Sequence, residues 1–248
     1  GSYYKGEHLN DIWGLTTIGI AKSQEEMDAH LAKVDQSSVG TNWGVGDIMY
    51  ADLDGDGKIS NGTNKLGDTG DYRIIGNWTP RFKYGITLDA AWKGFDFSIF
   101  MQGIGKRDLW LDGCYFWGAN GQGNEWQSTG FAEHWDFFRP EGDPLGANLN
   151  SYYPRVNFSG DRNTKVQTRY LQNGAYLRLK NVQLGYTLPR VWTEKAGISS
   201  VRVYVSGDNL ATITSLSKIF DPEATGSLAG TGSGKLYPLQ RVISVGVN

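Results

Sequence analysis

The sequence predicts an all-β fold of antiparallel strands long enough to span a membrane, and three observations support this. Residues 80–103 contain two stretches of alternating apolar and polar side chains, joined at Lys93-Gly94. Alternation with a period of two is typical of a strand with one apolar face and one polar face. Each stretch has about the ten residues that a tilted strand needs to cross a bilayer. Glycine is abundant at 34 residues and aromatic content is 13%, which favours strands, turns and aromatic girdles over helices.

The two stretches are predicted to form one hairpin. The apolar positions of the first arm are Phe82, Tyr84, Ile86, Leu88, Ala90 and Trp92. The apolar positions of the second arm are Phe95, Phe97, Ile99 and Met101, with Phe100 as an exception on the polar parity. Gly94 permits the positive φ that a tight turn between the arms needs.

The other elements are predicted from the same kinds of pattern. A weak strand lies within residues 1–22, and Ser23 caps a short helix with Glu26 at the capping-box spacing. A short strand follows at 46–50. Residues 103–174 are irregular and aromatic, with one or two helical turns at 131–138. Further strands are predicted at 176–188, 201–206 and 243–247, and the first of these changes phase near Lys180, which indicates a bulge.

Composition excludes several classes of function. The formal charge of −2 gives no indication of a nucleic-acid partner. Cys114 is the single cysteine, so neither an internal disulfide nor a cysteine metal cluster is expected. No run approaches the roughly 18 apolar residues of a membrane helix. The negative mean hydropathy of −0.42 remains compatible with a barrel, because every second residue of a barrel strand is polar.

Six segments carry a likeness to a known family. In chain order they are GDIMYADLDGDGKIS, DYRIIGNWTPRFKYGITLDAAWKGFDFSIFMQG, YLQNGAYLRLKNVQLGYTLP, VRVYVSGDNLATIT, FDPEA and YPLQRVISVGVN. This ordered set resembles the C-terminal part of SusC/RagA-type TonB-dependent outer-membrane transporters, as found in Bacteroidetes. The resemblance implies that residues 1–248 are the C-terminal portion of the barrel, with the plug domain and the TonB-contacting segment absent.

The resemblance also implies a location, a role and partners. The location is the outer membrane, in contact with lipid. The role is import of glycan fragments or peptides, driven by TonB, together with a SusD-like surface lipoprotein. About eight up-and-down strands would close only a narrow barrel, whereas the family has barrels of the roughly 22-stranded kind. We therefore expect a transmembrane β-barrel segment, an open arc of a large barrel with long extracellular loops, short helices and unpaired edges that meet the remainder of the barrel.

An acidic stretch predicts a calcium site. Asp52, Asp54 and Asp56 alternate, Gly57 permits a sharp bend and Ile59 can anchor the loop, as at the start of a calcium loop. Carboxylates in this spacing converge on one cation. The alternative is a solvated acidic turn.

The rest of the predicted coordination shell departs from the usual calcium loop. The Lys58 carbonyl and Ser60 can add oxygens, but Thr63 stands where a glutamate is expected at the twelfth position. Asp71, or Asp68, would then have to close the shell.

Aromatic side chains in residues 103–153 are the candidates for contact with substrate or with the lid lipoprotein. They are Trp110, Tyr115, Trp117 and Trp126. Large rings stack on sugars, and the neighbouring Asn, Asp and Gln side chains can hydrogen-bond hydroxyl groups. The alternative is that these rings pack the loop against itself.

The polar side chains at alternate positions of the strands have two interpretations. Lys83, Asp89, Asp96 and Arg202 either line a substrate path or bond across strands. No catalytic residue is predicted, because the three histidines are far apart and Glu125 and Glu133 have nothing to position them as an acid pair.

Two other functions stay open at this point. One is a soluble, calcium-stabilised β-sandwich that binds carbohydrate, and the other is a β-rich hydrolase. In a sandwich the apolar parity of each strand turns into a dry interior, whereas in a barrel wall it turns to lipid. The exposure of the first arm of the hairpin therefore distinguishes the sandwich from the barrel.

Overall fold

The computed structural model describes residues 8–65, 67–123, 130–225 and 236–248. The strands are β1 (Asp11–Gly14), β2 (Thr17–Ile20), β3 (Ile48–Tyr50), β4 (Arg73–Asn77), β5 (Arg81–Trp92), β6 (Phe95–Lys106), β7 (Asp108–Leu109), β8 (Gln172–Asn173), β9 (Tyr176–Thr187), β10 (Arg202–Thr214) and β11 (Val242–Val247). The helices are α1 (Gln24–Leu31), α2 (Cys114–Trp117) and α3 (Arg190–Thr193), with 3-10 turns at Ala132–Trp135 and Glu194–Ala196. Within the described residues, none of these helices combines the length and apolar character needed to cross a membrane.

The chain divides into two compact units. The first comprises Gly1–Thr79, Asp108–Gln172 and Thr225–Lys235, and the second comprises Pro80–Arg107, Asn173–Ala224 and Leu236–Asn248.

The N-terminal part of the first unit forms short antiparallel pairs rather than one strand. β1 pairs with β4, and β2 pairs with β3. The single weak strand predicted within residues 1–22 is therefore wrong. The break falls at Leu15, whose backbone exchanges hydrogen bonds with Val166 and Thr168 instead of continuing either pair.

The predicted helix is confirmed as α1. The Ser23 hydroxyl accepts the backbone N–H of Glu26 at 3.2 Å, and the Glu26 carboxylate accepts the N–H of Lys22 at 2.6 Å. These bonds satisfy donors that a helix start leaves free. Met27 is fully buried and packs with Ala21 and Met49, which fixes the helix to the first unit.

The described parts of residues 108–172, which are 108–123 and 130–172, are more ordered than their irregular sequence predicts. They bury aromatic side chains that contact one another edge to face. The buried rings are Trp110, Phe116, Trp117, Phe138, Tyr153 and Tyr170. Trp117 lies 4.7 Å from Tyr170 and 5.2 Å from Phe116 between ring centroids. Such edge-to-face pairs add about 0.5–1.5 kcal/mol each beyond the area they bury.

The second unit is one antiparallel sheet in the order β5-β6-β9-β10-β11. Along this unit each strand pairs with the next, so the topology is up-and-down. The predicted hairpin is confirmed: Trp92 pairs with Phe95, and Lys93 and Gly94 have φ of 46° and 88°. Two successive residues with positive φ are typical of a type I′ turn, whose twist matches the twist of the two strands that it joins. The second arm extends to Lys106, beyond the predicted end at Gly103.

The predicted bulge is confirmed in β9. Asn181 pairs with Phe100 and Leu179 pairs with Met101, so Lys180 is an extra residue relative to β6. The next strand, β10, shifts register after Asp208, where Asn209 has φ of 52°. Directly paired residues point to the same face of a sheet. Leu179 therefore shares a face with Val182 although their sequence parity differs.

The apolar side chains at alternate positions of β5 are exposed. Phe82, Leu88 and Trp92 are 75%, 54% and 69% exposed. This contradicts the sandwich interpretation, in which these side chains would be buried, and agrees with a barrel wall. The expectation of about eight strands in the wall is wrong for the described residues, because five strands form the sheet and the others form short pairs elsewhere. β5 and β11 are the outermost strands.

Candidate functional site

Three carboxylates of the acidic stretch come together in the first unit. Oxygens of Asp52, Asp54 and Asp71 all lie within 4.8 Å of one another. Asp71 is fully buried, and its two oxygens accept the N–H groups of Leu53 at 2.6 Å and Ser60 at 2.8 Å. Asp71 is therefore held against both ends of the acidic loop, in position to close a cation shell.

The backbone of the acidic loop wraps around Asp52. The Asp52 carboxylate accepts the N–H of Gly55 at 2.7 Å and of Gly57 at 2.8 Å. Gly57 has φ of 79°, which is why the sharp bend needs glycine. Ile59 is fully buried, and its N–H donates to the Asp35 carbonyl at 2.8 Å. The loop is thus fixed to the segment that follows α1.

The electrostatics of the acidic loop fit a cation. The N–H of Gly57, followed by other loop groups, lowers the pKa of Asp52. The N–H of Asp56 also lowers the pKa of Asp54, but desolvation and the charges of Asp56, Asp71 and Asp52 outweigh it and raise the pKa above its usual value. Mutual repulsion of this kind is what a divalent cation relieves.

The remaining predicted ligands lie around this group but outside it. The Asp56 carboxylate accepts the N–H of Lys58 at 2.8 Å, and Ser60 Oγ accepts the N–H of Gly62 at 3.1 Å. Asp68 instead accepts the N–H of Thr63 at 3.0 Å. Of the two carboxylates considered for closing the shell, the structure therefore brings Asp71 to the group.

The predicted aromatic contact residues separate into three cases. Trp110 and Trp117 are buried, 5% and 2% exposed, with ring centroids 5.8 Å apart. Both rings pack within the aromatic core, as in the alternative in which the loop packs against itself, and contact of Trp110 or Trp117 with substrate or lid stays a prediction. Tyr115 is half-buried against Phe131, with ring centroids 5.7 Å apart. Trp126 lies outside the described residues.

Sequence reasoning missed an aromatic cleft in the first unit. The cleft has a volume of about 240 Å³. Its aromatic and polar lining includes Trp117, Asn120, Phe131, His134, Trp135, Phe137 and Tyr153. The available signal was the density of rings between residues 131 and 138, which predicted a helical turn but gave no indication of a shared cleft.

Of the four polar residues predicted at alternate positions of the strands, two form a contact with each other. Arg202 on β10 forms a two-pronged ion pair with Asp96 on β6. Lys83 and Asp89 lie exposed on β5. For Asp96 and Arg202, the cross-strand interpretation is the one that the structure supports.

The chain is similar to curated TonB-dependent receptors. TonB-dependent receptor P3 of Formosa agariphila is 33% identical over 254 residues, covering 98% of this chain and 22% of that receptor. TonB-dependent receptor P26 of the same organism is 29% identical over 253 residues, covering 98% of this chain and 23% of that receptor. The chain thus spans less than a quarter of each of these relatives. No protein-family model matches it.

Solved structures show the same fold. The RagAB peptide importer in its open-open state matches with a TM-score of 0.61 at 23% identity, covering 96% of this chain and 22% of the matched chain. The closed-closed state gives a TM-score of 0.60 at 24% identity, with the same coverage. The sequence matches and the exposed apolar parity of the sheet lead to one conclusion. The chain has the all-β fold of the matching barrel segment of the RagAB structures, its sequence is similar to TonB-dependent receptors over nearly its whole length, and its location is the outer membrane.

Proposed function

We propose that this chain forms part of the wall and loops of an importer that carries glycan fragments or peptides across the outer membrane. The observation that carries this proposal is the up-and-down sheet whose apolar parity is exposed, in a chain similar to TonB-dependent receptors. An apolar outer face is stable against lipid, and a polar inner face suits an aqueous path.

The proposal includes partners that lie outside the chain. The outermost strands β5 and β11 pair with the remainder of the barrel, since strand edges in a membrane need hydrogen-bond partners. A plug fills the completed barrel, TonB acts through an N-terminal part, and a SusD-like lipoprotein covers the extracellular side. These assignments rest on the family resemblance.

The proposal also includes calcium as a structural cofactor. Asp52, Asp54 and Asp71 would supply carboxylate oxygens, which are the ligands that calcium prefers. The role of the cation would be to neutralise the repulsion within the acidic loop. Its binding would fix the loop beside β4, which follows Asp71 directly.

A matched pair of substitutions on β5 tests the wall and the import role together. In a cell that carries the intact receptor, Ile86→Lys puts a charge on the apolar face, at a cost of about 2–4 kcal/mol near the middle of the bilayer. Thr87→Lys puts the same charge on the polar face. We expect Ile86→Lys to lower the receptor level in the outer membrane and Thr87→Lys to leave it unchanged.

Uptake measured in the same cells tests cargo and energy coupling. Fluorescent oligosaccharides and fluorescent peptides are supplied separately, with TonB present or deleted. The expected result is TonB-dependent uptake of one class that follows receptor level. Equal receptor levels for the two variants would contradict the wall assignment, and TonB-independent uptake of both classes would contradict the import role.

A further inference from the structure

Two apolar side chains interrupt the polar face of β6. They are Phe100 and Ile104, which pair directly with Thr87 and Lys83 of β5 and therefore point to the same face as these polar residues. The half-buried Phe100 ring lies over Gly85 of β5, where an added Cβ would come within 3.3 Å of Phe100 Cε2. Glycine at this position leaves room for the ring to lie across the neighbouring strand.

These side chains line a groove in the second unit, which we call the polar-face groove. Its volume of about 460 Å³ lies within the roughly 300–1,000 Å³ that ligand pockets occupy. Its lining includes Lys83, Phe100, Gln102, Ile104 and Tyr176. Gln102 is exposed, and its amide can both donate hydrogen bonds to hydroxyl groups and accept them. The groove thus combines an aromatic surface with polar groups.

Three cations lie on the polar face at one end of the groove. Arg81 of β5 pairs directly with Lys106 of β6, and Lys83 lies two residues from Arg81 on the same strand. All three are exposed, and among the described residues none of them takes part in an ion pair. Like charges directly opposite each other on neighbouring strands destabilise a sheet. An anion bound between these side chains would remove that repulsion.

Carboxylates elsewhere on the sheet do not cancel this charge. Glu223 lies 2.9 Å from Lys180 and 3.6 Å from Arg178, so its charge is already compensated. Asp89 lies six residues from Lys83 along β5, about 20 Å at roughly 3.3 Å per residue. That distance is about twice the length over which salt screens exposed charges. The end of the groove beside Lys83 therefore attracts anions.

The three cations lie at the end of the sheet from which a long connection leaves. The tight turn at Lys93 and Gly94 joins β5 to β6 at the opposite end, whereas residues 107–175 leave β6 directly after Lys106. In outer-membrane barrels the short turns face the periplasm and the longer loops face the exterior. A molecule that enters from outside would therefore meet this end of the groove first.

We propose that the polar-face groove binds a sugar unit that carries a carboxylate. The sugar ring stacks on Phe100, and its carboxylate lies between Lys83 and the Arg81–Lys106 pair. A guanidinium presents two parallel N–H donors that match a planar carboxylate. A neutral sugar leaves the three cations uncompensated, and an acidic peptide side chain has no ring to stack on Phe100. This inference rests on the proposed import function and narrows its cargo to acidic glycan fragments.

The test uses the intact receptor in lipid nanodiscs and calorimetric titration. The probes are trigalacturonate, maltotriose and acetyl-Gly-Asp-Gly-amide. We expect trigalacturonate to bind and the other two to bind at least about tenfold more weakly, because the first lacks the charge and the second lacks the ring. The affinity for trigalacturonate should also fall as the salt concentration is raised, since the cations are exposed.

Two lysine variants locate the binding. Lys83→Met removes a cation from the groove while keeping most of the side-chain length, and it should weaken trigalacturonate binding at least about tenfold. Lys93→Met is the matched control, because Lys93 is an exposed lysine of the same hairpin at the opposite end and should leave binding unchanged. Without ligand, the thermal midpoint of Lys83→Met should equal or exceed that of the unmodified receptor, since repulsion from Arg81 and Lys106 is reduced.

The other outcomes overturn the proposal. Absence of trigalacturonate binding, or equal binding by the two variants, would show that the groove is not an acidic-sugar site. Tighter binding of the acidic peptide that is lost in Lys83→Met would make it a peptide site. A lower midpoint for Lys83→Met without ligand would mean that another part of the receptor already occupies the cations. Titration involves no transport, so TonB-dependent uptake of neutral glycans or peptides alongside such a result overturns the groove assignment and leaves the import role standing.

Discussion

Arg202 and Asp96 form a bidentate ion pair across an intervening strand. Arg202 Nε lies 2.8 Å from Asp96 Oδ2, and Nη2 lies 2.5 Å from Oδ1. Arg202 is on β10 and Asp96 is on β6, with β9 between them. Gly185 of β9 pairs with Asp96 on one side and Tyr204 on the other. A Cβ at Gly185 would collide with the guanidinium and the carboxylate, so glycine is what permits the pair.

We expect Gly185→Ala to lower the free energy of unfolding by about 1–3 kcal/mol, because the added methyl group must push the ion pair apart. The measurement is urea unfolding of the intact receptor, with its complete barrel, in detergent. Gly19→Ala is the control, since a Cβ there meets nothing within 4 Å, and its effect should stay within about 0.5 kcal/mol. Equal stability of the two variants would contradict the steric role of Gly185.

Arg178 is expected to be the most sensitive charged residue of the sheet. It is 4% exposed in its side chain, lies 2.7 Å from Asp221 and 3.6 Å from Glu223, and so compensates two carboxylates. Arg178→Met would leave Asp221 without its ion-pair partner, while Glu223 would keep Lys180 at 2.9 Å, and should cost about 3–5 kcal/mol in the same assay. Lys165→Met is the control, because its partner Asp161 is 67% exposed and the pair contributes about 0–1 kcal/mol. A loss below 1 kcal/mol for Arg178→Met would show that the buried cluster is not coupled.

Calcium should raise the thermal midpoint of the chain, and Asp54→Asn should remove most of that rise. Calcium at 100 times its dissociation constant stabilises by about 2.7 kcal/mol. Asparagine keeps the hydrogen bond to the N–H of Asp56 but loses the charge. Asp143→Asn is the matched control, since its carboxylate makes a similar turn with the N–H of Leu145. Identical midpoints in calcium and in chelator for the unmodified chain would contradict the cation site.

Calcium affinity should fall as the pH is lowered from 7 towards 4, and the fall should begin above the usual aspartate pKa of about 3.9. The pKa of Asp54 is raised, so its proton competes with the cation earlier than an ordinary aspartate proton would. Without calcium, a lower pH favours rather than opposes the contribution of Asp54 to the folding stability. Its contribution to stability is present at low pH and is lost as the pH rises through its folded pKa. Titration of calcium at several pH values checks this, and an affinity that stays flat down to the usual aspartate pKa of about 3.9 would exclude Asp54 as a ligand.

Local patterns in the sequence predicted the sheet well. The alternation in residues 80–103 predicted the hairpin, and the phase change near Lys180 predicted the bulge. Both could be predicted because the face to which a strand side chain points depends only on its neighbours in sequence. The capping residues gave α1 for the same reason. These features needed no knowledge of distant contacts.

The aromatic cleft and the closure of the acidic group were harder to predict. Trp117 and Phe131 come to line one cleft only after the chain between β7 and β8 has folded on itself, and no periodicity in the sequence records such an arrangement. Asp71 was one of two candidates, and the choice depended on the backbone donors of Leu53 and Ser60. The strand count failed because short alternating stretches in the first unit look like sheet strands in sequence.

The extra residue at Lys180 has a genetic consequence. Loss of that one codon would leave Leu179 two positions from Val182 and both on one face, whereas loss of a codon elsewhere in β9, such as that of Gln183, would rotate one half of the strand relative to the other, so that apolar side chains would meet water and polar ones would meet the membrane. The same loss in the connection between β9 and β10 would be absorbed without turning any strand over. Single-codon deletions should therefore be tolerated between these strands and at Lys180, and eliminated at the other positions within the strands.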